Sequence, residues 1–383
     1  MRLNHPIVIA CIAYALAAAI FNVSPFFVGA YMDGLGLSEA QAGFMVTVEM
    51  TVMAVIGFLL GPTISAWSHK RQLLGGLLLI GLGNIASLLA TDYTTLLFCR
   101  IVAGAGAGFL FIYANTCIGR SDEPVRWYGF SMVASSFSGV VLLMSLPWVI
   151  GLWAQNGIFL ALLAFALLFV PFALSDKQPD LDPEQQIQTT PEQAQITPIV
   201  LALLILTLFI VQMTQSSYYV FVERMATDVG LSGPDTGAII ATAYILAVIA
   251  SALAAWLGTR WGRLLPLTLS LGLHSVAIVV TCTTHNPTVL ALSVITQTFT
   301  YFFSIPYQLG LAAELDDTGK TANIAAGIFF FGMAMGPYFG GSVIERFGYE
   351  GIAIGVVISV VAGLLIWFRI GVMLRARSST LLA

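Results

Sequence analysis

Apolar residues fill the chain in long unbroken stretches, separated by short clusters of Gly, Pro, Ser, Asn and charge. The stretches lie near 7–32, 39–60, 72–90, 93–117, 128–150 and 157–174, then 198–222, 236–258, 264–283, 288–313, 321–343 and 350–372. About 20 apolar residues in a helix cross the hydrocarbon core of a bilayer, so each stretch predicts one membrane-spanning helix, spans 1 to 12 in order. The first stretch continues past the small-residue pattern Ala15-Leu16-Ala17 that would end a cleaved leader, and is read as a retained span. Between spans 6 and 7, residues 175–197 are rich in Pro and Gln and set Asp176, Asp180, Asp182, Glu184 and Glu192 against the single Lys177. Such a segment buries too little apolar surface to order itself. It predicts a cytoplasmic linker between an N-terminal six-helix bundle, 1–174, and a C-terminal one, 198–383.

The two sets of six repeat. At a constant offset of 194, Gly36, Leu37, Ser38, Gly43 and Trp67 match Gly230, Leu231, Ser232, Gly237 and Trp261. The register still holds at Asp122 with Asp316 and at Gly157 with Gly351. Six is even, so both copies enter the membrane in the same sense, and an all-α integral membrane protein is expected whose two bundles are related by a pseudo-twofold axis along the membrane normal.

Composition sharpens this picture. With 58% hydrophobic and 9% charged residues over 383 positions, and a mean hydropathy of +0.92, no sizeable soluble domain fits beside the spans. Basic residues collect in cytoplasmic loops. With the N-terminus inside, the inner side holds Arg2, Lys70, Arg71, Arg120, Arg126, Lys177, Arg260, Arg263, Lys320, Arg369, Arg375 and Arg377, against Arg224 and Arg346 outside. Both termini are therefore expected in the cytoplasm. The net charge of −4 comes without a basic tract, which excludes nucleic acid as a partner. Cys11, Cys99, Cys117 and Cys282 all fall in apolar runs and read as small hydrophobes rather than as a metal site or disulfides.

Polar residues within the spans are the candidate chemistry. Glu49 lies halfway along span 2, and its repeat counterpart is Ala243, so the fold does not require an acid there. A charge at the centre of a span costs about 2.5–3.5 kcal/mol on insertion scales. Glu49 is thus a site of reversible protonation or cation binding, one half of a structural pair, or an acid at the lipid headgroups. Arg100, about seven residues into span 4 with counterpart Val294, calls for an anion: Glu49 or a substrate, with helix-pair contact as the plainer alternative. Two stripes obey helical spacing. In span 7 they are Gln212, Gln215, Ser216, Tyr219 and Glu223; in span 10, Gln297, Thr300, Tyr301, Ser304 and Gln308. Lone residues such as His274 and Asn84 read as structural. Aromatic rings crowd the same neighbourhood, among them Phe21, Tyr218, Phe299, Phe302 and Tyr307, and suit a ligand with an apolar body and a few polar groups. Pro25, Pro306 and the pair Gly336-Pro337 mark bends that would serve gating or be static.

Two phosphate-binding patterns are decoys. "GAGAG" at 104–108 follows no strand and is expected to serve close helix packing. "DDTGKT" at 316–321 has Glu314 where a phosphate loop needs glycine. Neither ATP nor any other cofactor or metal is expected, no enzymatic activity is assigned, and coupling must come from a gradient.

These motifs resemble the major facilitator superfamily over nearly the whole chain. The superfamily's loop pattern G-x-x-x-D-R-x-G-R is matched between spans 8 and 9 at Arg260, Gly262 and Arg263, with Thr259 at the acid position. Between spans 2 and 3 it is matched at Gly61 and at the basic pair ending in Arg71, with Ser65 at the acid position. In the family this loop helps latch the inward side shut. "RIVAGAGAG" from Arg100 resembles the family's span 4 motif, whose arginine is associated with proton transfer. "GMAMGPYFGG", 332–341, has the form that drug antiporters carry in span 5, here in span 11. The resemblance implies that spans 1, 4, 7 and 10 line a central cavity. Asn22, Asn115, Gln212, Gln215, Tyr219, Gln297, Tyr301 and Gln308 would then face the substrate, with Glu49 and Arg100 coupling protons. The expected protein is a monomeric alternating-access transporter in a cytoplasmic membrane, partnered by a small molecule, protons and the bilayer. Proton-coupled export of an amphiphilic or aromatic compound leads, ahead of proton-coupled import of a metabolite or a receptor-like role without turnover.

Overall fold

The computed structural model describes residues 6–64, 67–119, 121, 124–174, 198–258, 260–262, 264–314 and 320–381. The linker at 175–197 and the loop residues Ser65, Thr259 and Arg263 lie outside them. Among the described residues every regular element is a helix. Ten segments are long and apolar enough to cross a membrane. One of these, Gly327–Arg369, is two spans, because Gly348, at φ 65° and ψ −170°, breaks its helical path. Span 2 completes the twelve. Its α-helix Glu39–Val55 is short, but it continues through a π-helical turn, Ile56–Leu60, into Gly61–Ile64. The protein is an all-α, multi-pass membrane protein.

The chain divides into two compact units, Met1–Ile187 with Ser232–Ala241, and Gln188–Leu231 with Thr242–Ala383. Within unit 1, span 1 covers Ile7–Leu35, span 3 His69–Leu89, span 4 Tyr93–Gly119, span 5 Pro124–Trp153 and span 6 Asn156–Ala173. In the second half, span 7 is Pro198–Tyr219, span 8 Gly233–Leu257, span 9 Leu264–Thr283 and span 10 Pro287–Glu314; spans 11 and 12 occupy 320–347 and 349–381.

The sequence repeat is also a repeat of local conformation. Gly36 and Gly230 both sit at positive φ, 62° and 86°, a region a side chain disfavours. Two residues on, Ser38 caps span 2 by accepting from the Gln41 amide at 3.3 Å while Gln41 Oε1 accepts from the Ser38 amide at 3.1 Å, a closed capping box. Ser232 repeats the move with Asp235 at the start of span 8, where its hydroxyl accepts from the Asp235 amide at 3.3 Å. These signals are local, which is why the sequence carries them undiluted.

In lipid the usual pattern is turned around, because both faces of a span are apolar and the buried one carries the small and polar residues. Span 3 shows it: Leu78, Leu82, Ile85 and Leu89 are exposed, whereas Leu73, Gly76, Ile80, Gly83, Asn84 and Ser87 are buried. Span 4 is wedged between spans 2 and 3 by its glycines. A Cβ on Gly104 would come within 2.4 Å of the Glu49 carbonyl oxygen, and one on Gly106 within 2.6 Å of the Gly76 oxygen and the Ile80 nitrogen. Span 11 does the same against span 7, where Gly332, Gly336 and Gly340 would place a Cβ 2.7, 2.5 and 2.3 Å from the carbonyls of Phe209, Met213 and Ser217. Both glycine motifs therefore bring helix backbones together. The proline in span 1 is locally compensated, since the Ser24 hydroxyl donates at 2.8 Å to the Phe21 carbonyl that a residue other than Pro25 would have bonded.

Candidate functional site

In unit 1, Glu49 and Arg100 meet. Gly104 lets span 4 approach the span 2 backbone at Glu49 itself, and Arg100 lies one turn earlier on the same helix. Arg100 is fully buried and Glu49 is 4% exposed, with Arg100 Nη1 3.6 Å from Glu49 Oε2. The guanidinium is held more closely by span 3. Its Nη2 donates to the Gly83 carbonyl at 2.9 Å and to the Ser87 hydroxyl at 2.5 Å, and both terminal nitrogens lie 3.4 Å from Asn84 Oδ1. The Phe159 ring of span 6 covers it at 4.9 Å from the centroid. A rigid planar cation with five donors suits such a set of acceptors. Glu49 Oε2, by contrast, accepts no hydrogen bond.

Asn84 and Ser87 thus belong to the site although single polar residues in a span read as structural in sequence. The available signal was their spacing: Gly83, Asn84 and Ser87 fall on one face of span 3. Asn22 of span 1 is buried and donates to the Ser135 carbonyl at 3.0 Å and hydroxyl at 3.2 Å. Asn115 is half-buried, donates to the Phe111 carbonyl at 2.8 Å and accepts from the Tyr128 hydroxyl at 2.9 Å.

In unit 2 the two stripes bond to each other. The Tyr301 hydroxyl donates to Gln212 Oε1, whose amide donates at 3.4 Å to Gln308 Oε1, and Gln308 in turn donates at 2.8 Å to Ser304. One turn along, the Gln297 amide donates to Gln215 Oε1. His274 Nδ1 lies 3.3 Å from the Gln297 carbonyl, and its ring stacks on Tyr301 at 5.9 Å. Tyr219 donates to the Tyr244 hydroxyl at 3.1 Å, and Tyr244 packs on Phe302. All these side chains except Phe302 are buried. The arrangement offers amides, phenols, an imidazole and ring faces, without a formal charge. Glu223 departs from the expected stripe. The span 7 helix ends at Tyr219 and a short helix, Val222–Asp228, begins, which breaks the period, and Glu223 instead accepts from Thr227 at 3.2 Å. The aromatic group also separates, with Tyr218 bonded to Thr281 and Phe303 and Tyr307 packed against the apolar core of unit 2.

Of the loop residues, Gly61 opens the short helix after the π-turn and Arg71 lies exposed in the first turn of span 3. Arg260 lies over the Trp256 ring at 5.0 Å. Gly262 holds φ 70°, a backbone conformation that a side chain would disfavour. Gly336 and Pro337 are buried within span 11, with Gly336 seated on span 7.

Twelve helical spans from a duplicated set of six, with a buried ion pair in one copy and a neutral polar network in the other, define a polytopic membrane protein of the carrier type. The model of the Major Facilitator Superfamily matches residues 10–205 and again 204–380. The chain belongs to that superfamily, whose members carry small molecules across membranes. Its fold is shared by the crystal structure of a mutant of the nucleoside transporter NupG, at 12% identity and a TM-score of 0.75, with 97% of this chain and 100% of that one covered. It is shared too by a bacterial homologue of the human lysosomal transporter Spinster, in an inward-facing and occupied conformation, at 13% identity and a TM-score of 0.73, covering 96% and 95%.

Proposed function

We infer that the chain is a proton-coupled secondary transporter. It moves a small organic solute of aromatic or amphiphilic character outward across a bacterial-type cytoplasmic membrane by alternating access, as a monomer with both termini in the cytoplasm. The observation that carries the proton coupling is the asymmetry of the Glu49–Arg100 pair. Breaking a buried ion pair ordinarily strands a charge, at a cost of about 3–5 kcal/mol. Here Arg100 keeps the Gly83, Asn84 and Ser87 acceptors when Glu49 takes up a proton, so the carboxylate can titrate without stranding its partner. The neutral amide and ring surfaces of unit 2 support a solute with a ring and a few hydrogen-bonding groups. Outward movement rests on the resemblance of span 4 and the short loops to efflux members.

The test is transport in proteoliposomes with an imposed pH gradient, using a panel of hydrophobic cations, aromatic compounds and nucleosides, the last because NupG carries that name. Glu49→Gln is expected to lose gradient-driven accumulation while solute exchange persists. Wild-type pH dependence in Glu49→Gln would refute the proton role, and accumulation that follows an inward proton flux would reverse the direction to import.

A further inference from the structure

A cavity of about 20 Å³ lies inside unit 1 beside the ion pair, bounded by Glu49, by Asn84 and Ile80 of span 3, by Ala103 and Ala107 of span 4, and by residues of spans 1 and 6. Its origin is visible in the repeat. At the offset of 194, Ala103 and Ala107 correspond to Gln297 and Tyr301. In unit 2 those larger side chains are buried and bonded to Gln215 and Gln212. Two alanines therefore leave open, next to the buried Glu49 carboxylate, a place the duplicate fills. On the opposite wall Leu16, Ala17, Ala19 and Ile20 flank Ala18, where the helix of span 1 is interrupted between Pro6–Ala17 and Ala19–Leu35.

A buried site for one water needs roughly 10–15 Å³ and two or more polar partners. The volume meets the first condition. Glu49, whose Oε2 accepts no hydrogen bond, and Asn84 meet the second. Of the ionisable groups around Glu49, Arg100 of span 4 pairs with it, and Tyr31 of span 1 interacts with Glu49, with Arg100 and with Cys99 of span 4. Span 3 contributes the uncharged Asn84 and Ser87, and span 6 the Phe159 ring. Arg100 is held by span 3 on its own side of the carboxylate, so the cavity is the side from which a proton can reach Glu49.

We propose that this cavity is a binding site for a single water molecule, hydrogen-bonded to Glu49 and Asn84, that hands the proton to and from Glu49. In the uptake step an O–H bond of a hydronium at the site breaks, its proton forms an O–H bond on Glu49 Oε2, and neutral water remains; release reverses it. The proposal rests on the proton role assigned to Glu49.

Ala107→Val fills the space with two methyl groups, and Ala107→Ser leaves it open and polar. In proteoliposomes, the ratio of gradient-driven transport to solute exchange is expected to fall in Ala107→Val, on the order of a hundredfold for loss of one positioned proton-transfer group, and to stay near wild type in Ala107→Ser. A wild-type ratio and pH profile in Ala107→Val overturns the proposal. If that result accompanies a Glu49→Gln variant that has lost pH dependence, only the water site falls; if Glu49→Gln keeps wild-type pH dependence, the proton role falls and the water site with it. Should Ala107→Val not fold, a high-resolution structure of the wild-type protein decides: density for a water within hydrogen-bond distance of Glu49 Oε2 supports the site, and a dry cavity overturns it.

Discussion

The closest approach of spans 2 and 4 gives the sharpest test of how the ion pair is held. In Gly104→Ala the new Cβ would sit 2.4 Å from the Glu49 carbonyl oxygen and 3.1 Å from its carbonyl carbon and Cα. All three are backbone atoms, so no side chain can turn aside. An ordinary C···O contact needs about 3.3 Å, so the two helices must part by about 0.9 Å, and overpacking of this kind costs about 1–3 kcal/mol. The parting falls on the pair itself. If it is transmitted in full, the 3.6 Å gap between Arg100 and Glu49 widens to roughly 4.5 Å. At an effective dielectric near 20 the attraction then weakens by about 1 kcal/mol. Gly108→Ala is the control, because its nearest backbone neighbour, the Met53 oxygen, is at 3.2 Å and its main clash is with the Ile56 side chain. Both variants are expected to lower the melting temperature in detergent, whereas Gly104→Ala alone should shift the pH profile of transport. A wild-type profile in Gly104→Ala, with the protein folded, would refute the claim that this glycine sets the Glu49–Arg100 distance.

Two further predictions concern elements away from the pair. Gly340→Ala drives a Cβ to 2.3 Å from the Ser217 carbonyl and should destabilise unit 2 by about 1–3 kcal/mol, read as a lower melting temperature; an unchanged value would show that spans 7 and 11 yield freely. Asp92, just ahead of span 4, receives the Thr95 hydroxyl at 2.6 Å and the Thr95 amide at 2.9 Å. These bonds, the hydroxyl first, hold its carboxyl below the usual carboxylate range. A group depressed on folding contributes stability above its unfolded pKa and loses it as pH falls through the folded one. Asp92→Asn keeps a capping side chain, so its melting temperature should fall less than that of the wild type on acidification below the usual carboxylate range, and parallel curves would contradict the assignment.

Much of the fold is legible in the chain because the bilayer imposes a one-dimensional rule. Spans need about 20 apolar residues, and caps such as Ser38, bonded to Gln41, and turn glycines such as Gly36, bonded to Tyr31, act on near neighbours in the chain. The boundaries accordingly differ from the expected ones mainly at helix ends, as where span 1 reaches Leu35 and span 5 starts at Pro124. The site was half legible. Glu49 and Arg100 stand out as charges in apolar runs, and the two stripes stand out by period. Asn84, Ser87 and His274 did not, because a single amide, hydroxyl or imidazole in a span has no contrast with its neighbours until its partner is known. Glu223 misled for the opposite reason, since its spacing fits a helix that in fact ends at Tyr219.

By itself, then, the sequence determined a duplicated twelve-span membrane protein, the superfamily it resembles, and the charges that need a partner. Tertiary structure alone decided which partner. It turned Arg100 onto Gly83, Asn84 and Ser87 as well as Glu49, set the glycines of spans 4 and 11 against particular carbonyls, and left a cavity where Ala103 and Ala107 replace Gln297 and Tyr301. The reason lies in the solvent. In water an apolar stripe announces which face of a helix is buried, but in lipid every face is apolar. Rotation about each helix axis is then settled by close packing and hydrogen bonding between residues far apart in the chain.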